Sequence, residues 1–323
     1  MTPAFRIVAD DIDITRKIAD RLIAIEVTDE AGLASDAVEI VLDDRDGLVA
    51  LPEIGSELAV WLGYEETGLT FMGRYRIDEV ALDAPPSRMT VSASAIDTGS
   101  RLKEHKTRAW EDVTLGDIVR TVAGEHGLTP RIPEQLAQTD YPHIDQTSES
   151  DLHFLTRLGR DHGAIAAVKD SNLVFARRGE GRSIGGKAMP ARTLTPKDVA
   201  SWRMTFAERG RFKSVIAMWH SVEGAQKETL TAGEGTPVFR LMHVYSSKSN
   251  ARRAAAAKLA SLLRSADGGD IALDGDPSLV AESRVILEGF REGVSGEWSV
   301  TKAMHRLSDG GFVSTLDLEA PEQ

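Results

Sequence analysis

Short runs of alternating apolar residues, each closed within a few positions by Asp, Gly or Pro, fill the first hundred residues of the chain. A period of two over so few residues fits half-buried strands and leaves no length for a helix. The expected strands are Ile23–Val27, Ala37–Leu42 (AVEIVL), Leu58–Leu62 (LAVWL), Thr70–Val80 and Met89–Ala95 (MTVSASA). DEAGLASD and DDRDG supply turns between them, and Pro85-Pro86 parts the last two because neither residue can donate to a sheet ladder. Strands this short and this regularly punctuated predict a sandwich or barrel.

The period changes after residue 105. Thr114-Leu115-Gly116-Asp117 has the form of a capping box, with Leu115, Ile118, Val119 and Val122 at helical spacing and Gly127 as a stop after His126. Ser148-Glu149-Ser150-Asp151 has the same form, followed by Leu152, Leu155 and Leu158 and ended by Gly163. Ala164–Lys169 and Asn172–Ala176 read as a hairpin through Asp170-Ser171. Gly179–Pro196, rich in Gly, Arg and Pro, reads as a linker. Strands resume at Trp202–Phe206 and Lys213–His220, a helix is expected over Asn250–Ser265 with Asn250 as cap and Gly268-Gly269 as stop, and Ser283–Glu288, Gly296–Arg306 and Phe312–Leu318 close the chain. One echo links the ends: Gly73-Arg74-Tyr75-Arg76-Ile77 resembles Gly296-Glu297-Trp298-Ser299-Val300, each followed by a turn and a closing strand. Alone it is a weak sign of duplication.

The chemistry-bearing residue types form no convincing set. With no cysteine, disulfides, zinc–thiolate sites and thiol nucleophiles are excluded. His143, Asp145, Asp151 and His153 are the most enzyme-like group, but Asp151 reads as a helix cap and the loop after Pro142 fixes no geometry. No Gly-Lys-Ser/Thr phosphate loop and no Gly-x-Ser-x-Gly elbow occurs, and a carboxylate pair chosen from 50 acidic residues carries no information. The expected catalytic, cofactor and metal residues are therefore none. Trp61, Tyr75, Trp202, Trp219 and Trp298 fall on expected strands and read as packing residues. A net charge of −12 argues against phosphate-backbone binding, although Arg177, Arg178, Arg182 and Lys187 gather locally. No run is long and apolar enough for a membrane span, and the acidic N-terminus is unlike an export signal.

Three stretches resemble the phage late control D proteins: ADRLIAIEVTDEAGLASDAVEIVLDDRDG, FMGRYRIDEVALDAPPSRMTVSASAIDTGSRLKEHKTRAWEDVTLGDIV and HIDQTSESDLHFLTRLGRDHGAIAAVKDSNLVFARRG. They cover a little over a third of the chain, in order and at the expected spacing. The family comprises contractile-tail baseplate hubs similar to the N-terminal part of VgrG spike proteins. The resemblance implies an α+β, mainly β fold with two related β-barrel tube domains and a small α+β domain between them. The matching boundaries are a first tube domain at 1–105, the α+β domain at 106–180, a linker at 181–197 and a second tube domain at 198–323 with a helix near 250–265.

The same resemblance implies a non-enzymatic structural hub that adapts a threefold spike to a sixfold tail tube and requires no cofactor. A homotrimer is expected, meeting a central spike protein, a tail tube or tube-initiator protein, baseplate wedge proteins and a tape-measure protein, without sequence-specific nucleic acid. The expected place is the virion tail baseplate or a phage-tail-like particle, assembled in the bacterial cytoplasm. Because the chain ends at Gln323 without a β-helical or lysozyme extension, the spike is expected as a separate protein. The competing expectation is a peptidoglycan-degrading or peptidoglycan-binding tail protein. The name of the family suggests gene regulation, but no recognition helix supports it.

Overall fold

The structure, a computed structural model, describes residues 1–32, 36–95, 100–169, 172–178, 191–207, 212–221, 226–265 and 267–321. It is mainly β with a smaller helical share. The chain divides into two compact units that interleave along the sequence: 1–97, 191–203 and 269–318 form one, and 98–190, 204–268 and 319–323 the other.

The first unit is built on one long sheet. Its first strands are β1 (Pro3–Ala9), β2 (Ile12–Asp13), β3 (Leu22–Glu30), β4 (Ala37–Asp43), β5 (Glu57–Tyr64), β6 (Gly68–Asp83) and β7 (Arg88–Ala95), with a single turn of helix α1 (Thr15–Ile18) after β2. β1 does not alternate cleanly in the sequence, which is why the pattern alone misses it. The strands curl around one apolar core that joins Ile7 of β1 to Ile25 and Val27 of β3, Val60 and Leu62 of β5, Ile77 of β6 and Met89 and Val91 of β7. Inward residues alternate with outward ones, as β4 shows with Val38, Ile40 and Leu42 buried between Ala37 and Glu39 on the open face.

The second unit starts with β8 (His105–Thr114), which pairs with β10 (Asp140–Ser150) as a two-stranded ribbon. Helix α2 (Leu115–Glu125), strand β9 (Thr129–Arg131) and the short α3 (Glu134–Ala137) connect them, and α4 (Asp151–His162), β11 (Ala164–Lys169) and β12 (Asn172–Arg177) follow. The Thr114 capping box forms as expected, with Asp117 reaching back to the Thr114 amide. The second cap shifts: Ser150, not Ser148, accepts the His153 amide at 3.2 Å, while Ser148 adopts a left-handed backbone with φ of 45°. The turn residues Asp170 and Ser171 lie outside the described residues.

The observed grouping differs from the expected order of domains within 191–323, while residues 181–190 of the expected linker lie outside the described residues. β13 (Arg192–Leu194) is a strand in parallel register with β19 (Arg284–Leu287), so the end of the expected linker belongs to the sheet. β14 (Val199–Phe206) enters the same sheet, but β15 (Ser214–Ser221), β16 (Gln226–Gly233), β17 (Val238–Tyr245) and α5 (Lys248–Arg264) leave it for the second unit. The reason is apolar packing. Ala251, Ala254 and Ala255 of α5 bury against Val215, Ala217 and Tyr245 of the β15–β17 sheet. Ser247 caps α5, replacing the expected Asn250, and Gly268-Gly269 start a strand, β18 (Asp267–Asp274), where the sequence suggested a helix stop. β20 (Gly296–Ser308) and β21 (Gly311–Glu319) complete the first unit.

The sheet order contains a repetition. One stretch reads β3-β4-β7-β6-β5, and the other reads β14-β18-β21-β20 with β19 on the far side of β20. Taken in chain order, β3, β4, β5, β6 and β7 correspond to β14, β18, β19, β20 and β21. β1 flanks β5 as β13 flanks β19, although the first pair is antiparallel and the second parallel. Residues 204–268 are thus an insertion after the second copy of β3, where the first copy has only a short connection.

Candidate functional site

The repetition extends to single hydrogen bonds. In the first copy Leu58 lies opposite Tyr75 and Val60 opposite Gly73; in the second Val285 lies opposite Trp298 and Leu287 opposite Gly296. Gly73 and Gly296 have φ of 151° and 139°, a region open to glycine and strained for other residues. The strand entry repeats as well. Gly55 N donates to Ile77 O at 2.9 Å and Ile77 N to Ser56 O at 3.0 Å, while Glu282 N donates to Val300 O at 2.8 Å and Val300 N to Ser283 O at 2.9 Å. Gly55 and Glu282 both take left-handed backbones, φ 95° and 67°.

A second feature joins the copies. β20 hydrogen-bonds to β3 over Lys302–Ser308, on the edge it offers β19 earlier in its length. Lys302 pairs with Glu30 at 3.0 Å and Arg306 with Glu26 at 2.8 Å across that junction. Beneath them Ala303 and His305 are fully buried, His305 bonding Ser314 Oγ at 2.8 Å and the Leu279 carbonyl at 2.9 Å.

The enzyme-like group from the sequence does not converge. His143 is half-exposed between Glu111, 2.7 Å from Nδ1, and Asp145, 3.1 Å from Nε2, and these carboxylates raise its pKa. His153 lies on α4, with its backbone amide in the cap. Asp151 is no cap at all: it is completely buried at the centre of an ion cluster that the sequence reading missed. Its Oδ1 accepts from Arg108 at 2.8 Å and Gln146 at 2.9 Å, and its Oδ2 meets Lys106 at 2.5 Å and His126 at 2.8 Å. Burial opposes the charge on Asp151, but the bonds from His126, Lys106 and Gln146 and the charge of Arg108 outweigh it and hold its pKa below the usual range. Glu125 also bridges Lys106 and Arg108.

Glu125, His126 and Asp151 are close enough to hold a cation together. However, Lys106 and Arg108 already neutralise the two carboxylates, and both Asp151 oxygens are occupied. The donor set suits a lock tying α2, α4 and the β8–β10 ribbon, and does not suit a metal.

A cleft of about 610 Å³ in the same unit is lined by His143, Asp161, His162, His220, His243 and Arg253, among others. At its base Tyr141 Oη meets His162 Nε2 at 2.7 Å and the Tyr245 hydroxyl donates to Asp161 at 3.0 Å. Burial pushes Asp161 up to about 6 against the opposing bond from Tyr245. Burial and then the Arg253 and Arg177 charges push His162 down to about 3. His162 is therefore a neutral imidazole whose Nε2 faces the Tyr141 hydroxyl at 2.7 Å and the Arg253 guanidinium at 3.2 Å.

A strand frame built twice in one chain and hydrogen-bonded to its own copy defines a pseudo-repeat structural protein. Comparison with known proteins places it more narrowly. The phage tail baseplate hub (GPD) profile matches residues 88–311. The chain is 33% identical over 362 aligned positions to the "Probable baseplate hub protein" of Escherichia phage 186, covering 99% of this chain and 93% of that one. Its fold is similar to that of the 43 kDa tail protein of prophage MuSo2 from Shewanella oneidensis, with TM-score 0.72, 16% identity and 99% of each chain covered. It is also similar to the E. coli c3393 protein, a type VI secretion component, with TM-score 0.58 and 13% identity over 92% of this chain and 73% of the other. The chain belongs to the phage tail baseplate hub family, and its role is structural, in the baseplate of the virion tail.

Proposed function

We propose that the two strand copies are two tube domains, and that three chains present six of them as an adaptor between a threefold spike and a sixfold tail tube. The observation that carries this is the repeated strand order, down to the paired bonds at Gly55–Ile77 and Glu282–Val300. A threefold object cannot match six equivalent surfaces with one surface per chain, and internal duplication supplies the missing three. Closed rotational symmetry then requires two different side faces on each domain. The partners in this reading are the central spike protein and the tail tube or its initiator, with wedge proteins outside and the tape-measure protein passing through. A lumen neutral or negative overall lets a polyanion through without holding it, consistent with the net charge of −12.

The protein has no catalytic step in this account. His143 is spent on Glu111 and Asp145, and Asp151 on Lys106, Arg108 and His126. Zymography of the purified chain on cell-wall substrate tests that part: no clearing is expected, and a clearing zone lost in His143→Ala would contradict it. Counting chains per baseplate tests the adaptor itself.

A further inference from the structure

The base of the cleft in the second unit offers more hydrogen-bond donors than it has acceptors for. Tyr141 and His162 are 4% and 7% exposed there, and Arg253 lies against them. Tyr141 Oη is 2.7 Å from His162 Nε2, and Arg253 Nη1 is 3.2 Å from the same nitrogen. A neutral imidazole carries its one proton on either Nδ1 or Nε2. With the proton on Nδ1, Nε2 accepts from the Tyr141 hydroxyl, and the neighbour of Nδ1 is Arg253 Nη1 at 3.5 Å, a donor that cannot accept it. With the proton on Nε2, the ring donates to Tyr141, and the hydroxyl hydrogen of Tyr141 is left over. In either tautomer one buried hydrogen lacks an acceptor among the described residues. Folded proteins seldom leave such a group unmatched, so the base is built for an acceptor.

The charges of the cleft lean the same way. Each of its carboxylates already has a partner. Glu149 holds Arg157 at 2.8 Å, Asp145 meets His143 at 3.1 Å, and Asp161 accepts from Tyr245 at 3.0 Å. Two of its cations have no carboxylate beside them among the described residues. Arg253 bonds only His162 and the Asn250 side-chain oxygen, the latter at 3.1 Å, and Lys227 stands exposed in the wall. Burial, and then the charges of Arg253 and Arg177, keep the His162 ring neutral, so this corner is already rich in positive charge.

We infer that the base of this cleft is an oxyanion site, and that it takes a carboxylate carried by an acidic polypeptide segment. Arg253 presents the planar pair of N–H groups that matches a carboxylate, and the unmatched hydrogen of the Tyr141–His162 pair adds a further donor. Lys227 then meets a second acidic side chain of the same segment. Size favours a segment over a lone anion, because about 610 Å³ is the volume of a ligand cleft and far exceeds one carboxylate. The net charge of −12 repels acidic chains from the surface as a whole, so attraction here is local to the cleft. The site belongs to the second unit alone and does not depend on how many chains form a baseplate.

Nuclear magnetic resonance of the full chain, with carbon-13 at the histidine Cε1 positions, tests the inference. The His162 signal is assigned by its loss in His162→Gln. The probe at pH 7 is an end-blocked tetraglutamate peptide, with tetraglutamine and glutarate as comparisons. Tetraglutamate is expected to shift the His162 signal saturably and tetraglutamine to leave it in place. Arg253→Gln is expected to raise the apparent Kd of tetraglutamate about tenfold, the scale of one lost charge-assisted pair. Lys227→Gln, an exposed change that leaves the fold alone, should weaken tetraglutamate several-fold and glutarate hardly at all. No shift with tetraglutamate, or an equal shift with tetraglutamine, overturns the site. Glutarate binding as tightly as the peptide overturns the polypeptide occupant and assigns the base to a free acid. Should Arg253→Gln fail to fold, Arg253→Lys keeps the charge but gives up the planar fork, and unchanged binding in it overturns the role of Arg253. None of these failures bears on the adaptor reading, which counts chains.

Discussion

Tyr75 and Trp298 hold the same place in two copies of one frame, and each turns its polar tip back to a carbonyl just upstream. The Tyr75 hydroxyl donates to the Met72 carbonyl at 3.1 Å, and Trp298 Nε1 donates to the Val294 carbonyl at 2.8 Å. Both rings are buried, at 1% and 5% exposure. A phenol and an indole share little sequence likeness, yet each fills the core and satisfies its one polar group locally.

The glycine two residues before each ring should respond unequally to substitution. A Cβ at Gly73 would lie 2.8 Å from the Tyr75 hydroxyl and 3.0 Å from its ring, while a Cβ at Gly296 meets nothing within 4 Å. Backbone strain alone costs roughly 1–3 kcal/mol at either site. Gly73→Ala is therefore expected to destabilise more than Gly296→Ala, and denaturant unfolding of the two variants measures the difference.

Removing the centre of the ion cluster should cost far more than removing a cap. Asp151→Ala removes the buried carboxylate on which Lys106, Arg108, Gln146 and His126 converge and leaves Glu125 to balance both cations. A loss on the order of 3 kcal/mol is expected. Ser150→Ala, which deletes only the bond from the His153 amide, should cost about 0.5–2 kcal/mol. Equal losses would show that Asp151 acts no differently from a cap.

Asp161 and His162 should pull stability in opposite directions with pH. The folded Asp161 binds its proton up to about pH 6, above its unfolded value of 3.8, so its contribution falls as pH rises through that window. The folded His162 resists protonation down to about pH 3, below its unfolded 6.5, so its contribution rises with pH from 3 to 6.5. In the overlap near pH 4–6 the two offset each other. Asp161→Asn is thus expected to steepen the gain in melting temperature with rising pH, and His162→Gln to reverse its sign, both read from thermal melts across pH 3–7.

Most strands were legible because a period of two survives in half-buried segments such as AVEIVL. What escaped depended on distant partners. β16 presents mainly exposed residues, so no apolar alternation marks it. The insertion at 204–268 is invisible in a linear reading, since only the packing of α5 on β15 and β17 assigns it to the second unit. Asp151 sits three residues after a serine and so resembled a capping box, while its basic partners His126, Arg108 and Lys106 lie 25 to 45 residues away. Conversely, the echo at Gly73 and Gly296 was visible but weak. Its strongest support, the shared left-handed entry at Gly55 and Glu282, joins two residues with no chemical likeness.

The central claim, one chain carrying two of six equivalent tube domains, is tested most directly by an electron cryo-microscopy map of the assembled baseplate, reconstructed without imposed symmetry. Three chains in a ring, with six densities superimposable on the frame of β3–β7, are expected. Six chains in that ring, or three chains whose two copies lie at different radii, would contradict it.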